Sequence, residues 1–152
     1  MAHYQTNAGG LSIQLIAVKK VGGGTFPLGI TLTAFAQDSD PLDFPAVTIG
    51  EASVNLNGDL ISNKTPNPMP VTLNIVPGSD DDRNLDILFQ SNMAKRTPEM
   101  DTITLICNYP DGTKRAAING ICTSYVPGKG VTGAGKLKSR PYTFTFAEIV
   151  GN

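Results

Sequence analysis

The chain has no tryptophan, one histidine and two cysteines among 152 residues, and only 16% of its residues are charged. Each scarcity closes off a kind of chemistry. The single histidine, His3, stands in a polar start, so Ser-His-Asp or Cys-His nucleophilic catalysis has almost no material. Cysteine and histidine never fall at zinc-ligand spacing. Cys107 and Cys122 lie in apolar stretches, where they read as small buried residues of an intracellular protein that does not rely on disulfides. No apolar run approaches membrane-spanning length, and no basic start and apolar run precede a cleavage site, so neither membrane insertion nor a leader is expected. The net charge of −1 offers no general attraction to nucleic acid or anionic lipid. No enzyme, no cofactor and no metal is expected.

Two local patterns test that expectation. Gly130-Val131-Thr132-Gly133-Ala134-Gly135-Lys136 fits the G-x-x-x-x-G-K start of a phosphate-binding loop. The next residue is Leu137, where a hydroxyl must hold magnesium, and the segment runs on into Pro141 and an alternating strand pattern instead of a helix. It reads as a flexible basic loop that binds no nucleotide. Asp80, Asp81 and Asp82 could suggest a cation site, but successive residues at a helix start point in different directions. Complementing the helix dipole accounts for them more simply.

What is present in quantity is β pattern, organised around one helix. Pro77-Gly78 stops the preceding strand, Ser79 stands at an N-cap position, and the three aspartates follow in the first turn, with Asp82 placed to reach back as a short capping box. Leu85, Leu88, Phe89 and Met93 recur at spacings of three and four, giving a helix over about 79–95 with one apolar stripe. Lys95 and Arg96 suit its end and Pro98 forbids continuation. Alternation predicts strands over 11–18, 30–36, 47–49, 52–56, 60–62, 71–76, 101–109, 114–125 and 141–149, with Gly120 a bulge or close approach. Asn57-Gly58-Asp59 and Pro110-Asp111-Gly112 supply turns, and three prolines hold 63–70 extended. Tyr142, Phe144 and Phe146 share one strand face that the helix stripe would cover. The expected fold is mainly β, a single-domain barrel or sandwich over 1–152 with one amphipathic flanking helix.

Charge is segregated along the chain. Eight acidic residues and Lys64 alone lie between Asp38 and Asp82, whereas six basic residues and no acidic one lie between Lys114 and Arg140. The plain reading is two solvated loop regions. The sharper one is assembly. Loop 37–45 presents Leu42 and Phe44 among Asp38, Asp40 and Asp43, and a second copy would meet it with Lys136, Lys138 and Arg140. Loop 63–70 is the second assembly candidate. Such acidic-to-basic contact is head-to-tail and propagates as a ring or filament.

The order of these features, with Val47-Thr48-Ile49-Gly50-Glu51, then Pro70-Val71-Thr72-Leu73-Asn74-Ile75-Val76-Pro77-Gly78-Ser79 feeding the helix, and the closing Gly135-Lys136-Leu137-Lys138-Ser139-Arg140-Pro141-Tyr142-Thr143-Phe144-Thr145-Phe146, resembles the tail-tube proteins of contractile-tailed bacteriophages. The likeness extends more distantly to the tube proteins of type VI secretion systems. The resemblance implies a structural virion protein of the tail, assembled in the host bacterial cytoplasm. Six copies would form a ring, and stacked rings a tube through which double-stranded DNA passes without sequence-specific binding. Its partners would be itself, the tail sheath protein, and baseplate and tail-terminator proteins. A type VI-like tube protein and a monomeric ligand-binding β-barrel are the alternatives.

Overall fold

The computed structural model describes residues 10–19, 24–35, 42–64, 67–93, 100–128, 130–131, 133 and 135–151. Among the described residues, nine strands and one helix follow in the order β1 (Ser12–Val18), β2 (Phe26–Leu32), β3 (Leu42–Asp43), β4 (Gly50–Val54), β5 (Leu60–Lys64), β6 (Met69–Ile75), α1 (Asp80–Met93), β7 (Thr102–Asn108), β8 (Lys114–Tyr125) and β9 (Arg140–Gly151). The fold is mainly β with one amphipathic helix, as the sequence indicates. Seven strands make one antiparallel sheet in the order β2-β1-β7-β8-β9-β6-β3, and β4 with β5 forms a separate hairpin.

The sheet has one apolar face. Ile13, Leu15 and Ala17 stand opposite Cys107, Leu105 and Ile103, and Leu73 and Val71 stand opposite Tyr142 and Phe144. All ten are buried, because residues directly opposite one another in an antiparallel pair project to the same side. The sheet rolls around this face without closing into a barrel. Just beyond β2, Phe35 forms a single antiparallel bridge to Ile75, and the Val76 N–H donates to the Ala34 carbonyl at 3.0 Å. These contacts draw the β2 and β6 sides together at one end.

Helix α1 covers the opening. Leu85, Leu88 and Phe89 are buried, and the Phe89 ring lies 4.9 Å from Tyr125 and 5.2 Å from both Tyr142 and Phe144. Met93, assigned to the same stripe, is instead 61% exposed. At about 100° per residue, position 92 returns to within about 20° of Leu85 and position 93 overshoots by about 80°. Asn92 therefore takes the inward place, its amide donating to the Leu88 carbonyl and to Asp101.

Other boundaries shift for local reasons. β2 begins at Phe26, four residues before the predicted start. Pro27 and Gly29 interrupt the pattern, but on this edge strand they are absorbed by an irregular register, Gly29 having φ +84°. Residues 47–49 are not a strand. Asn63 and Lys64 close β5, while Met69 and Pro70 open β6, so the extended segment between strands is shorter than the expected 63–70. At Gly120 the close approach is direct, since an added Cβ would lie 2.3 Å from the Phe146 ring. The adjacent Asn119 has φ 56° and is the extra residue of a bulge against β7. The helix positions 94 and 95 and the turn glycines Gly22 and Gly23 lie outside the described residues.

Leu88→Ala is expected to lower the unfolding free energy by about 2–5 kcal/mol in urea titrations. Met93→Ala should stay within about 0.5 kcal/mol. Equal losses at the two positions would contradict the inward face assigned here.

Candidate assembly interface

Three neighbouring aspartates do three different jobs. Asp80 makes an exposed pair with Arg83 at 3.1 Å. Asp81 accepts the Thr33 and Ala34 N–H groups, both at 2.8 Å, and ties the helix start to the end of β2. Asp82 is buried. Its N–H donates to the Ser79 hydroxyl at 3.2 Å, and its carboxylate accepts the Gly78 N–H at 3.0 Å, a capping box displaced by one residue. The same carboxylate accepts the Tyr142 hydroxyl at 2.7 Å and the Arg140 guanidinium at 3.2 Å.

Arg140 is therefore not a surface cation available to another subunit. It is 4% exposed, pairs also with Asp86 at 3.3 Å, donates to the Val126 carbonyl at 2.8 Å, and lies 5.5 Å over the Tyr142 ring. Alternation on β9 puts Arg140 on the core side with Tyr142 and Phe144, and only a carboxylate at the helix start makes that place tolerable. Burial alone would lower the Arg140 pKa, but Tyr142, Asp82 and Asp86 together hold it above its ordinary value. Burial, and then Asp82, raise that of Tyr142.

A second buried carboxylate holds the other end of the helix. Asp101 accepts the Thr25 hydroxyl at 2.6 Å and the Asn92 amide at 2.9 Å, and its N–H donates to the Asn92 side-chain oxygen at 2.7 Å. Nothing in the residue order signals that role. A carboxylate at a predicted strand start looks exposed, and the partners lie 76 and 9 positions away.

The proposed apolar anchors also change place. β3 pairs Leu42 with Leu73, and Leu42 and Phe44 pack against the core as partly buried side chains. They fold back onto the body because a two-residue strand can extend the sheet edge there, and each keeps only part of its surface exposed. Asp43, Lys136 and Lys138 are exposed, whereas Asp38 and Asp40 lie outside the described residues. The Gly130–Lys136 pattern, described in part, lies beside a Val131–Leu137 bridge and leads into strand β9. No helix follows.

A cluster of uncovered apolar side chains lies elsewhere, on the β4–β5 arm. Every residue from 50 to 64 is exposed, including Val54, Leu56, Leu60 and Ile61. Val54 and Leu60 face each other across the pair, and Asn55 closes the turn by accepting the Asn57 and Asp59 N–H groups. At the base of the arm is a groove of about 690 Å³ whose walls include Ile49, Met69, Ile121, Phe146 and Ala147. The Asn67 amide donates to the Thr48 carbonyl at 3.1 Å and braces one wall. Lys64 is the one charged side chain on those walls among the described residues. The Asn-Gly turn signalled the hairpin, but nothing signalled that both of its faces would stand clear of the body.

Replacing Arg140 by alanine strands a buried carboxylate and should cost about 3–5 kcal/mol. Arg83→Ala, at the exposed pair, should cost no more than about 1 kcal/mol. Chemical denaturation of both variants checks the contrast. The two thiols give a pH prediction. Burial pushes Cys107 from 9.0 to about 11 and Cys122 to about 12, the latter with help from Asp101. The unfolded chain gives up these protons first as pH rises. Their stabilisation is therefore complete below about pH 9 and lost as pH climbs through about 12. A Cys107→Ala/Cys122→Ala variant should show a shallower alkaline decline in stability, and an unchanged slope would contradict the assignment.

No curated protein matches the chain. Among solved structures, a chain of the anti-feeding prophage baseplate shares the fold at TM-score 0.61 and 7% identity, over 100% of this chain and 97% of that one. A chain of the PVC extracellular contractile injection system sheath/tube terminator does so at 0.56 and 13% identity, over 100% and 99%. One from the sheath–tube complex of that system does so at 0.53 and 10%, over 92% and 87%. At such identities what is shared is the fold. The model of one family, described as tail fiber protein gp32, matches residues 6–150, and the chain belongs to that family.

Proposed function

We infer that this protein is a structural subunit of a contractile tail, or of a particle built like one, and that copies of it assemble into rings stacked as a tube. The observation that carries this reading is the β4–β5 arm. Apolar side chains on a two-stranded hairpin with no cover of its own call for a partner surface. Family membership supports a tail role, and the baseplate structure that shares the fold is described as six-fold symmetrised, which supports a ring. The interior of the rolled sheet is filled by Tyr142, Phe144 and Phe146, which argues against a monomeric ligand-binding barrel.

Passage of DNA through the tube suits the other face of the sheet. Thr102, Thr104, Thr123, Thr143, Thr145 and Thr72 occupy outward positions on four strands, a face of neutral hydroxyls with Lys114 at one end. Asp43, Lys136 and Lys138 would set register and encounter rate between copies more than affinity. Sheath, baseplate and terminator proteins are the further partners of this reading. A second reading is that the chain ends a tube and does not repeat along it. The shared fold of a sheath/tube terminator favours it, and so does a family name that refers to a tail fiber.

Negative-stain microscopy of the purified protein separates the readings. Stacked rings or filaments are expected of a tube subunit and single closed rings of a terminal one. A monomer at all concentrations would overturn both. Lys136→Glu/Lys138→Glu should leave the fold intact while slowing assembly, and should make the rate less sensitive to salt.

A further inference from the structure

The arm and the groove at its base have complementary chemistry. The arm's tip offers Val54, Leu56 and Leu60 beside the exposed carboxylate of Asp59. The groove offers Ile49, Met69 and Ile121 beside the ammonium of Lys64. An apolar tip with one negative charge thus matches an apolar recess with one positive charge.

The two cannot meet within one molecule. Lys64 is paired with Gly50 at the base, while Val54 and Leu60 are paired at the far end of the arm. At about 3.4 Å per residue the tip stands about 17 Å from the base. Folding it back would break the ladder that defines the arm. We propose that the tip of β4–β5 from one copy docks into the groove between the arm base and strands β8 and β9 of the next copy, with Asp59 paired to Lys64. Donor and acceptor surfaces differ, so the contact is heterologous and leaves a docked pair with one free tip and one free groove for further copies. This rests on the self-assembly read above and names the surfaces that would do it.

Gly120 lets β8 come onto the Phe146 ring, and the extra residue, Asn119, turns with positive φ at the groove wall. A Cβ at position 120 would collide with that ring.

Two experiments decide the matter. The first mixes a Leu56→Cys variant with an Ile121→Cys variant under mild oxidation. The native cysteines are buried and should not compete. A disulfide needs Cα atoms within about 7 Å, far less than the tip-to-base distance, so a link reports docking between copies. A cross-linked heterodimer in the mixture, absent from either variant alone, is the expected result. The second compares Asp59→Lys, Lys64→Asp and the double exchange by sedimentation. Each single change should weaken association by about 30-fold or more, as loss of a central contact does, and the exchange should restore it. Rings that form without the cross-link, and that ignore both single changes, would overturn the docking while leaving self-assembly intact. A cross-link in a species that never closes or extends would uphold the docking and remove the ring. A protein monomeric at every concentration and never cross-linked would remove both.

Discussion

The Asp82 carboxylate is the point on which the packing of helix against sheet turns. It accepts the Gly78 N–H as the chain leaves β6, and the Arg140 guanidinium and Tyr142 hydroxyl at the start of β9. β6 and β9 are neighbours in the sheet, so one side chain joins the way into the helix to the strand pair beneath it. Asp81 extends the tie to the β2 end, and Asp101 repeats it where the helix meets β7. Most of α1's apolar stripe is only three residues wide. Polar groups at each end, satisfied by named partners, orient it over the opening where hydrophobic contact alone would leave its angle loosely fixed.

That arrangement explains which parts of the fold were legible in the sequence. β8 was read to its last residue, because alternation and flanking turns bound it. The helix start was legible because its capping is local, a matter of Ser79 and Asp82 three positions apart. Long-range polar pairing was not legible. Asp82 and Arg140 are 58 positions apart, and each alone looks like an ordinary surface charge. The helix dipole does account for an acidic first turn, yet it is silent on why Asp81 and Asp82 are each tied to a different strand. Met93 and Asn92 show the same limit in miniature. Hydropathy favours burying the methionine, whereas the helix angle and the Asp101 partner put the asparagine inside.

Three of the side chains assigned to an assembly contact are used within the fold. Segregated charge and apolar residues stranded in a loop pointed to assembly through 37–45. Leu42 and Phe44, however, are taken up by the sheet edge, and Arg140 by the helix. Both losses have one cause. A side chain near an unfilled place in its own fold meets that place at a far higher effective concentration than any second molecule can supply. Sequence shows that a residue needs a partner but not whether the fold provides one.

The β4–β5 arm is what remains once the fold has taken what it can. Two strands of five residues, paired only to each other, are marginal in water, and both outer edges present unpaired backbone groups. Proteins usually blunt such an edge with charge or proline. Here Glu51, Asp59 and Lys64 are the charges along it, while Val54, Leu56, Leu60 and Ile61 keep it apolar. A lone subunit gains nothing from that composition, since solvated apolar side chains add no stability and invite aggregation. It becomes favourable when a second surface removes those side chains from water. On the proposed assembly, the arm's ordering and its burial occur in the same step. Such coupling would let the body fold independently and leave the arm to gain its full stability at the contact between copies.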